Sequence, residues 1–413
     1  MSKVHAHLVS SRVPPPRHVV RFCPYSLLCT VAYVFNLSLI PFKAYMSEPF
    51  PWQLEPRPPL SLALDAPFDV FANTTFAYLT SKYNPDTVPR AVVFTKDTGA
   101  NTYLLRFSLA LPPAGDTQCA DYSCYFPGAV FYSQGMVAFV CDYVARNASN
   151  RPTGQKSFDC QQATFLGLRV AAACTWIVES PFNANTYDIY HAVQLLEAPV
   201  TSWIKFGLRC VLFGYIVRAM WQLYYRHYGS LLSNLQTLGL PNSTASHGYK
   251  VILGDPTWLI LSHPFVSLFM CLDCFANASY AGAANSRTSQ VSDIGEFCFG
   301  CLYGSRTVWA AYTLMRYTTS SIHHKMWEKY FQPVDPGVLA LTASFCGGPV
   351  MYFFSRTRLV LVYQWLQASL VPEAKRQQSV ECSPLMVTLL TMMATVPVAH
   401  SFVTQAIRNH RIG

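Results

Sequence analysis

Residues Pro256–Tyr317 read PTWLILSHPFVSLFMCLDCFANASYAGAANSRTSQVSDIGEFCFGCLYGSRTVWAAYTLMRY. Two apolar runs flank a polar loop, and a Cys-x-x-Cys pair stands on each side of that loop. Each run is about 20 residues long, enough to cross a bilayer as a helix. Two such helices joined by a short loop make an antiparallel hairpin, and the rest of the chain repeats the same apolar texture.

Composition agrees with a membrane setting. The 413 residues are 51% hydrophobic and 14% aromatic, but only 12% charged. An ordinary water-soluble domain carries about 25% charged residues. Mean hydropathy is only +0.21, so part of the chain must still face water. The net charge of +9 is not gathered into a basic block. Arg12, Arg17 and Arg21, and Arg408 and Arg411, stand beside apolar segments, where cytoplasmic flanks carry Lys and Arg. No nucleic-acid partner is expected.

Outward from the hairpin, residues 1–21 read as a cytoplasmic N-terminus and 22–42 as an uncleaved transmembrane anchor. Residues 43–60 form a Pro-rich linker. Residues 61–200 have short β-type runs, Arg90–Thr95 and Thr102–Leu111, and turn clusters such as Asn84-Pro85-Asp86. The apolar stretches Gly128–Arg146 and Ala163–Ser180 fit core strands or a core helix. Further apolar segments occupy 201–223, 256–275, 294–315, 336–354 and 385–404, and 405–413 is a C-terminal tail. The expected architecture is a multi-pass α-helical membrane protein of about six transmembrane helices. An α+β non-cytoplasmic domain is inserted between helices 1 and 2. The basic loop between the last two segments would then face outward, against the positive-inside tendency. A re-entrant turn at Gly347-Gly348-Pro349 would remove that conflict. The protein is expected in the plasma membrane or an endomembrane.

Cysteines and sequons supply the compartment argument. Cys119, Cys124, Cys141, Cys160 and Cys174 lie in the α+β region, as expected of disulfides in an oxidising compartment. Asn73, Asn147 and Asn277 head N-x-S/T sequons and are expected to be glycosylated.

Three constellations could carry chemistry. Cys271, Cys274, Cys298 and Cys301 would sit near one face of the hairpin. Four thiolates at that spacing could hold zinc or form disulfides, and isolated helix cysteines also serve as small apolar residues. Lys205, Asp273, Glu296 and Arg306 are ionisable groups in or beside apolar segments, where an unpaired charge is costly, so pairs among them are expected. Gly300-x-x-x-Gly304 would let two helix backbones approach closely, within the chain or in a homo-oligomer. Metalloprotease, serine-hydrolase, Walker and dinucleotide-binding motifs are missing from the sequence. An enzyme is therefore not the first expectation. Recognition or scaffolding leads, through a protein or glycan ligand of the non-cytoplasmic domain. A transporter or channel using the intramembrane charges is the alternative, and a membrane thiol redox protein the weaker one.

Overall fold

The computed structural model describes residues 5–8, 20–55, 67–89, 93–110, 134–146, 157–179, 186–237, 247–331 and 336–412. The strands in chain order are β1 (His5–Leu8), β2 (Val20–Phe22), β3 (Phe94–Asp97), β4 (Thr102–Ala110), β5 (Phe158–Phe165), β6 (Leu168–Glu179), β7 (Thr186–Leu195), β8 (His247–Val251) and β9 (Ser379–Glu381). The helices are α1 (Pro24–Ser38), α2 (Phe68–Lys82), α3 (Gln134–Ala145), α4 (Pro199–Met220), α5 (Arg226–Thr237), α6 (Thr257–Leu261), α7 (Pro264–Ala276), α8 (Tyr280–Thr288), α9 (Ile294–Gly304), α10 (Val308–His324), α11 (Pro336–Phe345), α12 (Met351–Ser355), α13 (Leu359–Ser369) and α14 (Ser383–Ile412). The fold is therefore mixed α and β.

The chain divides into two compact units. The first takes Met1–Lys43 and Gly207–Cys271. Its small sheet has β8 at the centre, antiparallel to β1 and parallel to β2. Ser26 ties α1 to the chain after β8, donating to the Leu253 carbonyl at 3.0 Å and accepting from its N–H at 2.6 Å. His263 Nε2 lies 3.1 Å from the Tyr215 hydroxyl, so the histidine before Pro264 is a packing residue.

The second unit takes Ala44–Phe206 and Leu272–Gly413 and is built on a six-stranded sheet of order β3-β4-β7-β6-β5-β9. All neighbours are antiparallel except β5 and β9. The β5–β6 hairpin turns at Leu166 and Gly167, with φ of 51° and 79°. A two-residue turn with both φ positive matches the strand twist. Glycine adopts that conformation freely and leucine does not, so Leu166 needs outside support. Glu381, at the end of β9, supplies it by accepting from the N–H groups of Leu166 at 2.8 Å and Gly167 at 3.4 Å.

One face of this sheet is closed by α2 through Phe71, Leu79, Trp176 and Tyr190. The other is covered by α8 and α9 through Tyr280, Ala283, Ala284 and Tyr303. Helix α9 starts where the Asp293 carboxylate caps the Glu296 N–H at 3.1 Å. Its glycines set the packing distance. A Cβ on Gly300 would stand 2.7 Å from the Ala284 carbonyl oxygen of α8. One on Gly304 would stand 2.5 Å from the Gly347 carbonyl oxygen.

The expectation of about six transmembrane helices is overturned. Among the described residues, two helices are long and apolar enough to cross a membrane, Pro199–Asn234 and Ser383–Asn409. The number rises to four only if two bent pairs each count as one span. These are Pro24–Ser38 with Ile40–Met46, bent by 66°, and Pro264–Ala276 with Tyr280–Thr288, bent by 84°. The remaining expected spans are broken. Segment 294–315 is interrupted by a 3-10 turn at Ser305–Thr307, and 336–354 by a π-type turn at Cys346–Val350 containing Pro349. The Pro-rich stretch 43–60 is not simply extended either. Ile40–Met46 is a 3-10 helix, Tyr45, Phe50 and Trp52 stack in sequence, and Glu48 is buried. Residues 56–66 lie outside the described ones.

Candidate functional site

Alternation along β5, β6 and β7 sends every second side chain to the face opposite α2. The register aligns them in three rows across the sheet: Asp159–Thr175–His191, Gln161–Ala173–Val193 and Ala163–Ala171–Leu195. One end of this face is therefore polar and the other apolar, with two alanines at its centre. Met136 of α3, Ala281 and Gly282 of α8, Cys382, and Leu385 and Met386 of α14 stand opposite. Small residues on both walls leave a cleft that is partly open to solvent.

The polar row is organised by hydrogen bonds. Thr175 Oγ1 lies 2.8 Å from His191 Nδ1. Gln161 Nε2 donates to Asp159 Oδ2 at 3.2 Å. Burial pushes the Asp159 carboxyl up to about 6, against the Gln161 hydrogen bond, which acts the other way. Burial pulls His191 down to about 4 and pushes the Cys382 thiol up to about 12. At neutral pH the cleft thus holds a carboxylate, a neutral imidazole and a protonated thiol. Asp159 and His191 stand two strands apart, about 10 Å at the usual strand spacing. That is too far for a carboxylate to orient the imidazole as a general base. The arrangement suits binding better than proton transfer.

A second constellation is a buried ion cluster. Arg306 pairs with Asp273, and its Nη1 donates to Glu48 Oε1 at 3.2 Å. Lys205 pairs with Glu197 and lies 3.9 Å from Glu48. Its Nζ also donates to Asn277 Oδ1 at 2.5 Å. Tyr303 donates to Glu48 at 3.1 Å, Tyr280 donates to Glu197, and Asn101 donates to the Tyr280 hydroxyl at 2.9 Å. Of the four charges singled out in the sequence, Lys205, Asp273 and Arg306 come together. Glu296 instead pairs with Arg287. Sequence reasoning missed Glu48 and Glu197 because neither lies in an apolar segment. A count of charges could not reveal them, because Lys205 and Arg306 were already matched by Asp273 and Glu296. Each cation is bracketed by two carboxylates, so the cluster acts as a clasp; removing one partner from such a buried pair costs about 3–5 kcal/mol.

The other expected sites fare differently. Cys271, Cys274, Cys298 and Cys301 form no disulfide, and no group of three or more His, Cys, Asp or Glu is placed to hold a metal among the described residues. Cys274 Sγ donates instead to the Arg306 carbonyl oxygen at 3.3 Å. Cys160 and Cys174 are disulfide-bonded to each other across β5 and β6, and Cys141 is also disulfide-bonded. Cys119, Cys124 and the sequon residue Asn147 lie outside the described residues. Asn277 is 1% exposed and bonded to Lys205 and Asp273, so the folded chain offers no glycan site there. Asn73 is exposed on α2, but its sequon partner Thr75 is fully buried. Gly300 and Gly304 face contacts within the chain.

No known protein family matches this chain. No curated protein and no solved structure matches it either.

Proposed function

We propose that the chain is a membrane-associated binding protein that takes a small, largely apolar molecule into the cleft over the six-stranded sheet. One observation carries this reading. The cleft is walled by Ala163, Ala171, Ala173, Ala281 and Gly282, where larger side chains would close it, and its polar groups converge at one end. A concave space with an apolar lining and a few converging polar groups is the usual form of a ligand site. Recognition thus remains the leading reading, now with the occupant in the interior of the sheet domain. The two helices long and apolar enough to cross a membrane support the association with lipid. Transport is the weaker reading, because Lys205 and Arg306 are each locked between carboxylates.

The test is Ala173→Phe. Phenylalanine at the centre of the middle row fills the cleft without touching the α2 side of the sheet. The full-length protein, purified in detergent and examined by native mass spectrometry with a panel of alkanes and lipids, is expected to retain an apolar compound. The variant is expected to lose it by about tenfold or more while its melting temperature stays within a few degrees. Equal retention by both proteins would sink the reading.

A further inference from the structure

A second, smaller hollow lies beside the first and shares Ala278, Ala281, Leu385 and Met386 with it. The shared residues are apolar and make the two spaces neighbouring chambers. The far wall of the second chamber includes Asn285 and Arg306. Asn285 is 7% exposed, and its Nδ2 has no hydrogen-bond partner. Its Oδ1 accepts from Thr288 Oγ1 at 3.4 Å. Arg306 is 4% exposed; its Nη atoms are taken by Glu48 and Asp273, and its Nε has no partner. Two buried donors thus go unanswered beside an apolar space. Buried polar groups are ordinarily paired, and each exception calls for an explanation.

An acceptor entering the chamber would supply one. A carbonyl oxygen has two lone pairs and can accept from such donors. An anion fits less well. Arg306 already lies between two carboxylates, and a third would be repelled in a poorly screened interior.

We propose that the two chambers form one bipartite site for a neutral lipid carrying an acyl ester. The ester carbonyl sits at Asn285 and Arg306, and the chain passes Leu385 and Met386 into the cleft over the sheet. This rests on the reading of that cleft as a ligand site.

The test uses monoolein, oleate and hexadecane as probes with the full-length protein in detergent. Native mass spectrometry measures how much of each is retained. Monoolein is expected to bind at least about ten times more tightly than oleate, and Asn285→Leu is expected to weaken monoolein by about tenfold while leaving hexadecane unchanged. Asn285→Asp keeps the volume and replaces the donor with an acceptor. It must weaken monoolein too, which keeps the test decisive should the leucine variant misfold. Monoolein retained equally by wild type and Asn285→Asp overturns the proposal, as does oleate binding as well as monoolein. If Ala173→Phe abolishes hexadecane retention while the Asn285 variants keep monoolein, the cleft stands and the carbonyl site falls. If the wild-type protein retains none of the three probes, both fall.

Discussion

The two faces of the six-stranded sheet are made by the same strands, one residue out of step, and they do opposite things. On the α2 face, Trp176 is fully buried, stacked on Tyr190 at 5.4 Å and edge-on to Phe76. Phe76 in turn stacks on Phe158 at 3.9 Å, and the Cys160–Cys174 disulfide lies among these rings. On the opposite face the corresponding central positions are Gln161, Ala173 and Val193, and a cleft remains. Side-chain volume and polarity separate them. The filled face supplies packing and apolar burial. The alanine face gives up that contact area and gains an interior space.

On that division, the largest effects on stability belong to the filled face. Trp176→Ala removes a buried indole with rings on two sides and is expected to cost about 3–5 kcal/mol in chemical denaturation. A cost below about 1 kcal/mol would mean that the filled face does not anchor the fold. Replacing Cys160 and Cys174 together by alanine probes the same face more gently. The bond closes a loop of 14 residues in sequence separation, for which about 3 kcal/mol is typical. The hairpin is already closed by its own turn and by Glu381, so about 2 kcal/mol is expected here. Lipid retention should be unchanged in this variant. A double mutant as stable as the wild type, but unable to retain lipid, would reverse the roles assigned to the two faces.

Parts of the fold were legible in the sequence, but this contrast was not, because Ala163–Ser180 reads equally as core strands or a core helix. Strand β4 occupies Thr102–Ala110, almost the run read as β-type, because alternation within one strand is a local signal. Lys205, Asp273 and Arg306 were found because a charge in an apolar run demands a partner. The number of crossings was not legible. A hydropathy window registers how apolar a run is, not whether protein or lipid covers it. Segments 294–315 and 336–354 are apolar because Gly304 backs onto Gly347 and α9 covers the sheet. Strand β9 has only three residues and pairs with β5 more than two hundred positions earlier, so nothing local announces it. Asn285 and Glu48 have the same character: each matters through what surrounds it in three dimensions.

The smallest expected effect tests the alanine face alone, through its two titrating groups. Asp159 is held near 6, above its ordinary 3.8. A raised acid favours the folded state most when protonated. Its contribution is full below about 3.8 and is lost as pH rises through about 6. His191 is held near 4, below its ordinary 6.5. The folded state resists its protonation, so its contribution is full above about 6.5 and is lost as pH falls toward 4. The two slopes oppose each other over one window, and the wild-type stability should be nearly flat between pH 4 and 6.5. Tyr103 and Cys382 also line the cleft, but burial raises both far above that window. Asp159→Asn should unmask the histidine slope, with stability falling on acidification. His191→Gln should unmask the aspartate slope, with stability falling as pH rises. Each shift of about two units corresponds to up to about 3 kcal/mol, and solvent in an open cleft reduces this to about 1–2 kcal/mol. Urea midpoints measured at half-unit steps would resolve slopes of that size. Two variants with parallel, flat profiles would mean that water screens this face fully, and that the cleft is a surface groove rather than an interior site.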